Sequence, residues 1–143
     1  MLYLVATDGS EEGDEAVRYA SRDAAALGAE LEIVHVITVR TKLVGGELVV
    51  QEQTITAEEG RQTLQHAAKL AEESAAEREV DLDVETKLLT GRPADAITER
   101  AVAANAAAIY VGHRGLSSKQ EAVVGSVAKS VVSKALVPVT VVR

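Results

Sequence analysis

The sequence has no cysteine in its 143 residues, and it has no phenylalanine or tryptophan. The lack of cysteine excludes disulfide bonds, thiolate zinc sites, iron–sulfur clusters and cysteine nucleophiles. Three tyrosines leave almost no material for stacking nucleic-acid bases, and a net charge of −7 argues against neutralising a phosphate backbone. We therefore expect no nucleic-acid partner.

Long apolar runs are missing too. The first run, Leu2–Ala6, is too short for the apolar region of a signal sequence, and no basic residues precede it. No run approaches the roughly 20 residues of a membrane span. We therefore expect a cytoplasmic protein with no membrane association. His35, His66 and His113 have no second ligand at helical spacing on a common face, so we expect structural or surface histidines rather than a zinc site.

Apolar segments and amphipathic segments alternate along the chain, and the length suits a single domain over residues 1–143. Strands are predicted at Leu2–Ala6, Leu31–Val39, Val84–Leu89, Ala108–Val111 and Val139–Val142. Helices are predicted between the N-cap Ser10 and the stop Gly28, from the capping box at Thr56, from Gly91-Arg92-Pro93, and over Gly125–Ala135. Residues Arg40–Thr56 are predicted to be a long loop, with a short extended piece at Leu48–Val50.

This alternation predicts an α/β fold: a three-layer, doubly wound, parallel five-stranded sheet in the order 3-2-1-4-5. In that order the crossovers diverge between the first and fourth strands, and ligands of such sheets bind in the crevice at that point. The turns expected to line the crevice are Asp8-Gly9-Ser10 and the segment that begins at Gly112.

The second of those segments carries three glycines and a hydroxyl at fixed spacing: Gly112, Gly115, Gly125 and Ser126. Gly112 and Gly115 lack Cβ, so the backbone there can adopt positive φ and let a polyphosphate approach its N–H groups. Ser126 would begin a helix, whose free N–H groups and dipole form an anion site. The chain has no Walker-type P-loop, no G-x-G-x-x-G after its first strand, and no acidic cluster of the phospho-acceptor receiver type.

With this spacing the chain resembles the universal stress protein family, in particular its ATP-binding branch, from the opening strand to the final Pro138-Val139 strand. The resemblance implies a Rossmann-like fold and the binding of ATP with Mg²⁺ or Mn²⁺, in nucleotide-dependent signalling or stress response. It implies that Asp8 meets the ribose, or a metal on the phosphates, and that the backbone of Val36 pairs with adenine. Further site residues implied in the same way are Ala6, Thr7, Val111, Val127 and Ala128, the last in place of a commoner hydroxyl.

Some side chains keep two interpretations at this stage. Asp8 is either a ligand residue or a turn residue that bonds Ser10. Arg114 either balances triphosphate charge or is a solvated loop charge. The acidic residues at the helix starts, Glu11, Glu12, Glu58 and Glu59, are most simply capping and solubility features.

Two other functions compete with nucleotide signalling. A slow ATPase or phosphotransferase would need a base near the γ-phosphate, and the sequence has no clear one, so we expect at most slow hydrolysis. A dimeric interaction module without nucleotide is the other, and the intact three-glycine pattern argues against it.

The last strand, Val139–Val142, is predicted to lie at a sheet edge and to be rich in valine. Exposed edges invite pairing, and Arg143 alone would oppose it here. We therefore expect a homodimer through antiparallel pairing of this strand, as the family resemblance also implies. A monomer whose edge is protected by the preceding helix is the alternative.

Overall fold

Strands and helices alternate in the computed structural model, which describes residues 1–38, 41–50, 56–114 and 124–143. The strands in these ranges are β1 (Leu2–Ala6), β2 (Glu30–Ile37), β3 (Thr41–Val44), β4 (Glu47–Val50), β5 (Val84–Thr90), β6 (Ala108–Gly112) and β7 (Val139–Val142). The helices are α1 (Glu11–Leu27), α2 (Ala57–Ala76), α3 (Pro93–Ala103) and α4 (Ser126–Lys134).

Five strands form one sheet in the order β5-β2-β1-β6-β7, and every neighbouring pair is parallel. This order confirms the predicted 3-2-1-4-5 arrangement. Strand β1 is central, and its Leu4 lies opposite Glu32 on one side and Ile109 on the other. The chain leaves β1 toward β2 and leaves β6 toward β7, so the switch point lies between β1 and β6.

The predicted helix ends are confirmed by their capping contacts. Ser10 Oγ accepts a hydrogen bond from the Gly13 N–H at 3.1 Å at the start of α1, and Gly28, with φ 68°, ends that helix in the left-handed conformation. Thr56 Oγ1 accepts from the Glu59 N–H at 3.2 Å at the start of α2.

Two apolar layers cover the sheet. Helices α1 and α2 pack on one face against Val5 and Ile33, and helices α3 and α4 pack on the other against Leu4, Val34 and Ile109. Small alanines dominate the buried helix faces, which lets the helices pack close to the sheet. The one described acid buried inside β2, Glu32, is paired bidentately with Arg100 at 2.6 and 2.9 Å. This hydrogen bonding raises the pKa of Arg100, which keeps its guanidinium charged.

The region predicted as a long loop contains more structure than expected. Strands β3 and β4 form an antiparallel hairpin, whereas the prediction had an extended piece only at Leu48–Val50. Gly45 and Gly46 both have positive φ, 58° and 84°, as a two-residue hairpin turn of the I′ type requires. Strand β2 ends at Ile37, and the predicted end at Val39 lies outside the described residues. Over the described ranges, no helix has both the length and the apolar character needed to cross a membrane.

Candidate functional site

A crevice of about 270 Å³ opens at the carboxyl ends of β1, β2 and β6, where the sheet topology predicts a ligand site. Its volume is near the lower end of the roughly 300–1,000 Å³ that small-molecule pockets occupy. Eleven of the twelve residues predicted from the sequence line it: Ala6, Thr7, Asp8, Val36, Val111, Gly112, Arg114, Gly125, Ser126, Val127 and Ala128. The twelfth, Gly115, lies outside the described residues.

The turn between β1 and α1 forms one wall and is held by its own side chains. Thr7 Oγ1 accepts from the Gly9 N–H at 3.1 Å. Asp8 Oδ1 accepts from the Ser10 N–H at 3.0 Å and also from the Ser10 hydroxyl. Asp8 therefore has the turn role that the sequence left open, and it also lines the crevice.

The glycines of the motif serve close packing. Gly112 does not use the positive φ that glycine permits, because the residue ends β6 with φ outside that region. A Cβ at Gly112 would instead lie 2.9 Å from the backbone oxygen of Glu12, and a Cβ at Gly125 would lie 3.1 Å from Arg114 Cα. These glycines let α1, β6 and α4 meet at the crevice with almost no side chain between their backbones.

The N-terminus of α4 forms the opposite wall. Its N-cap, Gly125, provides no side-chain hydrogen bond, and the first turn of this nine-residue helix contains no acid. Ser126 and Val127 are exposed, and both line the crevice. The first N–H groups of a helix have no intrahelical acceptor and carry about half a positive charge together, so this wall is suited to an anion.

Arg114 is the one arginine or lysine among the described residues that line the crevice. Its interpretation as a solvated loop charge is wrong, because its side chain is 20% exposed and its Nη2 lies 2.8 Å from Glu12 Oε1. The guanidinium Nε is buried and has no hydrogen-bond partner among the described residues. Glu12 thus does more than favour the start of α1, the role that the sequence assigned to it.

Five lining residues were missed by sequence reasoning: Gly13, His35, Thr38, Pro93 and Ile97. Gly13 had a detectable signal, since glycine inside a helix costs about 1 kcal/mol relative to alanine and so implies a local reason. A Cβ there would lie 2.5 Å from Thr7 Oγ1 and 3.1 Å from Asp8 Oδ1. The others had no signal, because their approach to the crevice depends on strand pairing and helix packing.

The three histidines take structural or surface positions. His35 is buried, its Nδ1 donates to the Thr7 carbonyl at 2.8 Å, and its Nε2 has no hydrogen-bond partner in the described part of the chain. His113 is buried, and its Nδ1 donates to the Val142 carbonyl at 3.3 Å. His66 is exposed on α2. Nowhere in the described part of the chain do three or more His, Asp or Glu side chains converge as metal ligands.

Comparisons with known proteins agree with this architecture. The chain is 33% identical to a universal stress protein of Thermus aquaticus over 140 residues, covering 98% of this chain and 96% of that protein. A universal stress protein solved in complex with cAMP superposes with a TM-score of 0.73 at 26% identity, covering 100% of this chain and 96% of the other.

A second solved structure is the universal stress protein from Archaeoglobus fulgidus in complex with dAMP. It superposes with a TM-score of 0.72 at 26% identity, covering 100% of this chain and 98% of the other. The sequence model of the universal stress protein family matches residues 3–143. With its fold, the glycine motif at its crevice and this match, the chain belongs to the universal stress protein family.

Proposed function

We propose that the crevice binds an adenine nucleotide, and specifically ATP with Mg²⁺ or Mn²⁺, whose binding serves as a signal in a stress response. The observation that carries the proposal is the uncapped, acid-free N-terminus of α4 facing the crevice at the switch point of the sheet. The guanidinium of Arg114 supports it, because it is the one arginine or lysine side chain among the described residues that line the crevice and guanidinium groups bind phosphate oxygens strongly. The cAMP and dAMP complexes of the two solved relatives support an adenine ligand.

We assign the phosphate end and the base end of the nucleotide to different residues of the crevice lining. We assign the phosphates to the backbone of Gly125, Ser126, Val127 and Ala128, to Arg114, and to Gly115, which is outside the described residues. The base is assigned to the apolar side, where Ala6, Val36, Ile97 and Val111 line the crevice. Asp8, which also lines the crevice, is assigned to the ribose or to a metal on the phosphates.

The metal is assigned chiefly to phosphate oxygens. No group of three potential protein ligands converges within the described residues, whereas Mg²⁺ commonly binds through substrate phosphates with one or two carboxylates. Asp8 is the carboxylate that lines the crevice.

We expect slow hydrolysis or none. The titratable side chains that line the described crevice, besides Arg114, are Asp8 and His35. Asp8 Oδ1 accepts from Ser10, and His35 Nδ1 donates to Thr7, so both have structural duties. A pocket without a placed base binds its ligand without much selective stabilisation of the transition state. The cytoplasmic location and the single-domain organisation remain predictions from the sequence.

Titration calorimetry of folded, nucleotide-free protein with ATP and Mg²⁺ tests the proposal, together with identification of the nucleotide released on denaturing the purified protein. We expect about one ATP per chain and release of ATP or ADP. An absence of heat and of any thermal shift at millimolar ATP and metal would reject the proposal and favour the interaction module. Fast phosphate release that Asp8→Ala abolishes would favour the enzyme instead.

We also propose a homodimer through β7, which lies at an edge of the five-stranded sheet. Its valines are already partly covered within the chain: Val139 and Val141 pack, partly buried, against the α3–α4 layer, and Val142 is buried in the α1–α2 layer. The proposal therefore rests on the unpaired backbone of the edge strand.

Light scattering decides the oligomeric state, with a chain mass of 15.0 kDa as the unit. The wild type should have twice that mass, and Val141→Lys should lower it to one unit if it remains folded by circular dichroism. Val102→Lys, at an exposed valine of α3, is the control that should stay dimeric. A wild-type mass of one unit would reject the dimer, and a dimeric Val141→Lys would move the interface elsewhere.

A further inference from the structure

The ion pair between Glu12 and Arg114 joins the first turn of α1 to the residue pair that follows β6. Both side chains are mostly buried, with 22% and 20% of their surfaces exposed. The backbones beneath them are also in contact, since Gly112 leaves no room for a Cβ against the Glu12 carbonyl. Packing therefore places this carboxylate beside the arginine.

The charges at the crevice do not favour an anion as strongly as its glycine motif implies. Arg114 contributes one positive charge to the lining and Asp8 one negative charge. Glu12 does not line the crevice, but it offsets Arg114 from behind at 2.8 Å. The three side chains together carry a net charge of about −1, against about half a positive charge from the α4 dipole.

Arg114 nevertheless keeps a hydrogen-bond donor for a ligand. Glu12 contacts Nη2, and among the described residues Nε has no hydrogen-bond partner. A guanidinium has five N–H donors in one plane, so a ligand oxygen can bind a donor that Glu12 leaves free. A phosphate that binds there interacts with a cation whose charge Glu12 has largely cancelled.

We infer that Glu12 is a specificity-determining residue that acts through Arg114 and lowers the affinity of the crevice in proportion to the negative charge of the ligand. This inference rests on the proposed nucleotide function and deepens it. Ligands with one phosphate are penalised less than ATP, and a divalent cation relieves most of the penalty on ATP by lowering its charge. Partly buried charges are screened little by salt, so the effect persists at physiological ionic strength.

The test compares Glu12→Gln with the wild type by calorimetry in the absence of metal, using adenosine, AMP, ATP and inorganic tripolyphosphate. Removing one negative charge should raise affinity about tenfold for ATP and tripolyphosphate and about threefold for AMP, and leave adenosine unchanged. The control Glu11→Gln makes the same charge change at an exposed neighbour and should alter each affinity less than about twofold. In an Arg114→Gln background, Glu12→Gln should have a smaller effect, because no arginine charge remains for Glu12 to offset.

Two results would overturn the inference. Weaker binding of phosphates by folded Glu12→Gln would mean that Glu12 holds Arg114 in position for the ligand, and an equal change for adenosine and ATP would mean a purely structural role. If neither protein binds adenosine, AMP or ATP, the proposed function fails, and tripolyphosphate still tests Glu12. Equal or absent tripolyphosphate binding by wild type and variant would then reject the inference as well.

Discussion

Helices α1 and α4 both begin at the crevice, but their N-termini are equipped in opposite ways. Ser10 caps α1 through the Gly13 N–H, and its first turn carries Glu11, Glu12 and Asp14. Helix α4 starts at Gly125 with no side-chain cap and no acid in its first turn. The protein thus satisfies the positive end of α1 with its own oxygen atoms and carboxylates, whereas the first turn of α4 has neither a capping side chain from Gly125 nor an acid.

The difference shows why a helix N-terminus alone is poor grounds for predicting a site. Helices α1, α2 and α3 each have at least one acid in the first turn, and α4 has none. Glu12 extends the contrast, because the same acidic turn that completes α1 also offsets Arg114. In the proposed function, α1 therefore moderates the anion site assigned to α4.

The largest effect is expected from giving α4 the acidic start of α1. Ser126→Asp places a carboxylate on the exposed first residue of α4. There it would accept hydrogen bonds from the free N–H groups of the helix and repel phosphate. Affinity for ATP should fall at least about 100-fold while thermal stability stays level or rises. Calorimetry and thermal melting measure the two quantities. Ser133→Asp, the same change near the exposed far end of α4, is the control, and an equal loss from both variants would contradict the assignment.

The next largest effect concerns the contact between the end of β6 and the first turn of α1. Gly112→Ala puts a Cβ within 2.9 Å of the Glu12 carbonyl oxygen, and backbone cannot easily move away. The free energy of unfolding should fall by about 1–3 kcal/mol in urea denaturation. Gly60→Ala is the matched control, because its Cβ would meet mainly the flexible end of Leu88 at 2.8 Å. An unchanged Gly112→Ala would show that β6 and α1 have room to separate.

A smaller effect is expected from removing the cap of α1. Ser10→Ala deletes the acceptor for the Gly13 N–H and should cost about 1 kcal/mol of stability. ATP affinity should change less than about threefold, because the α1 terminus is assigned a structural role. Thr56→Ala removes the equivalent cap of α2, away from the crevice, and calibrates the loss. A loss of affinity much larger than the loss of stability would place the ligand at α1 instead.

The smallest effect is expected where the other end of α4 meets α3. Lys134 Nζ donates to Asp95 Oδ1, and this hydrogen bond lowers the pKa of Asp95 below its ordinary 3.8. A depressed carboxyl pKa stabilises the fold above the unfolded-state value, and the contribution is lost as the pH falls through the folded-state value. Lys134→Gln should therefore lose a little stability at neutral pH and none in acid below that pKa.

Urea denaturation at both pH values measures this difference, which solvent screening keeps small because both side chains are substantially exposed. Lys69→Gln, at an exposed lysine of α2, makes the same charge change and is the control. A loss of the same size at both pH values would mean that Lys134 acts through packing.

Features set by neighbours along the chain were predictable from the sequence. The central strand, the caps Ser10 and Thr56 and the stop Gly28 follow from residue types at local spacing, and the structure confirms them. The strand order followed from the βαβ alternation, because parallel crossovers have one hand. The glycine spacing located the crevice, and the structure places the described members of that motif around it.

Only the tertiary structure decided which distant side chains meet. The pairing of Glu12 with Arg114 depends on where α1 packs against β6. Position 112 requires glycine because a Cβ there would contact the Glu12 carbonyl of α1, and not because its own φ is positive. Local patterns reflect the hydrogen bonding and periodicity of single elements, whereas these contacts join residues up to 102 positions apart in the sequence and exist only after the sheet is assembled.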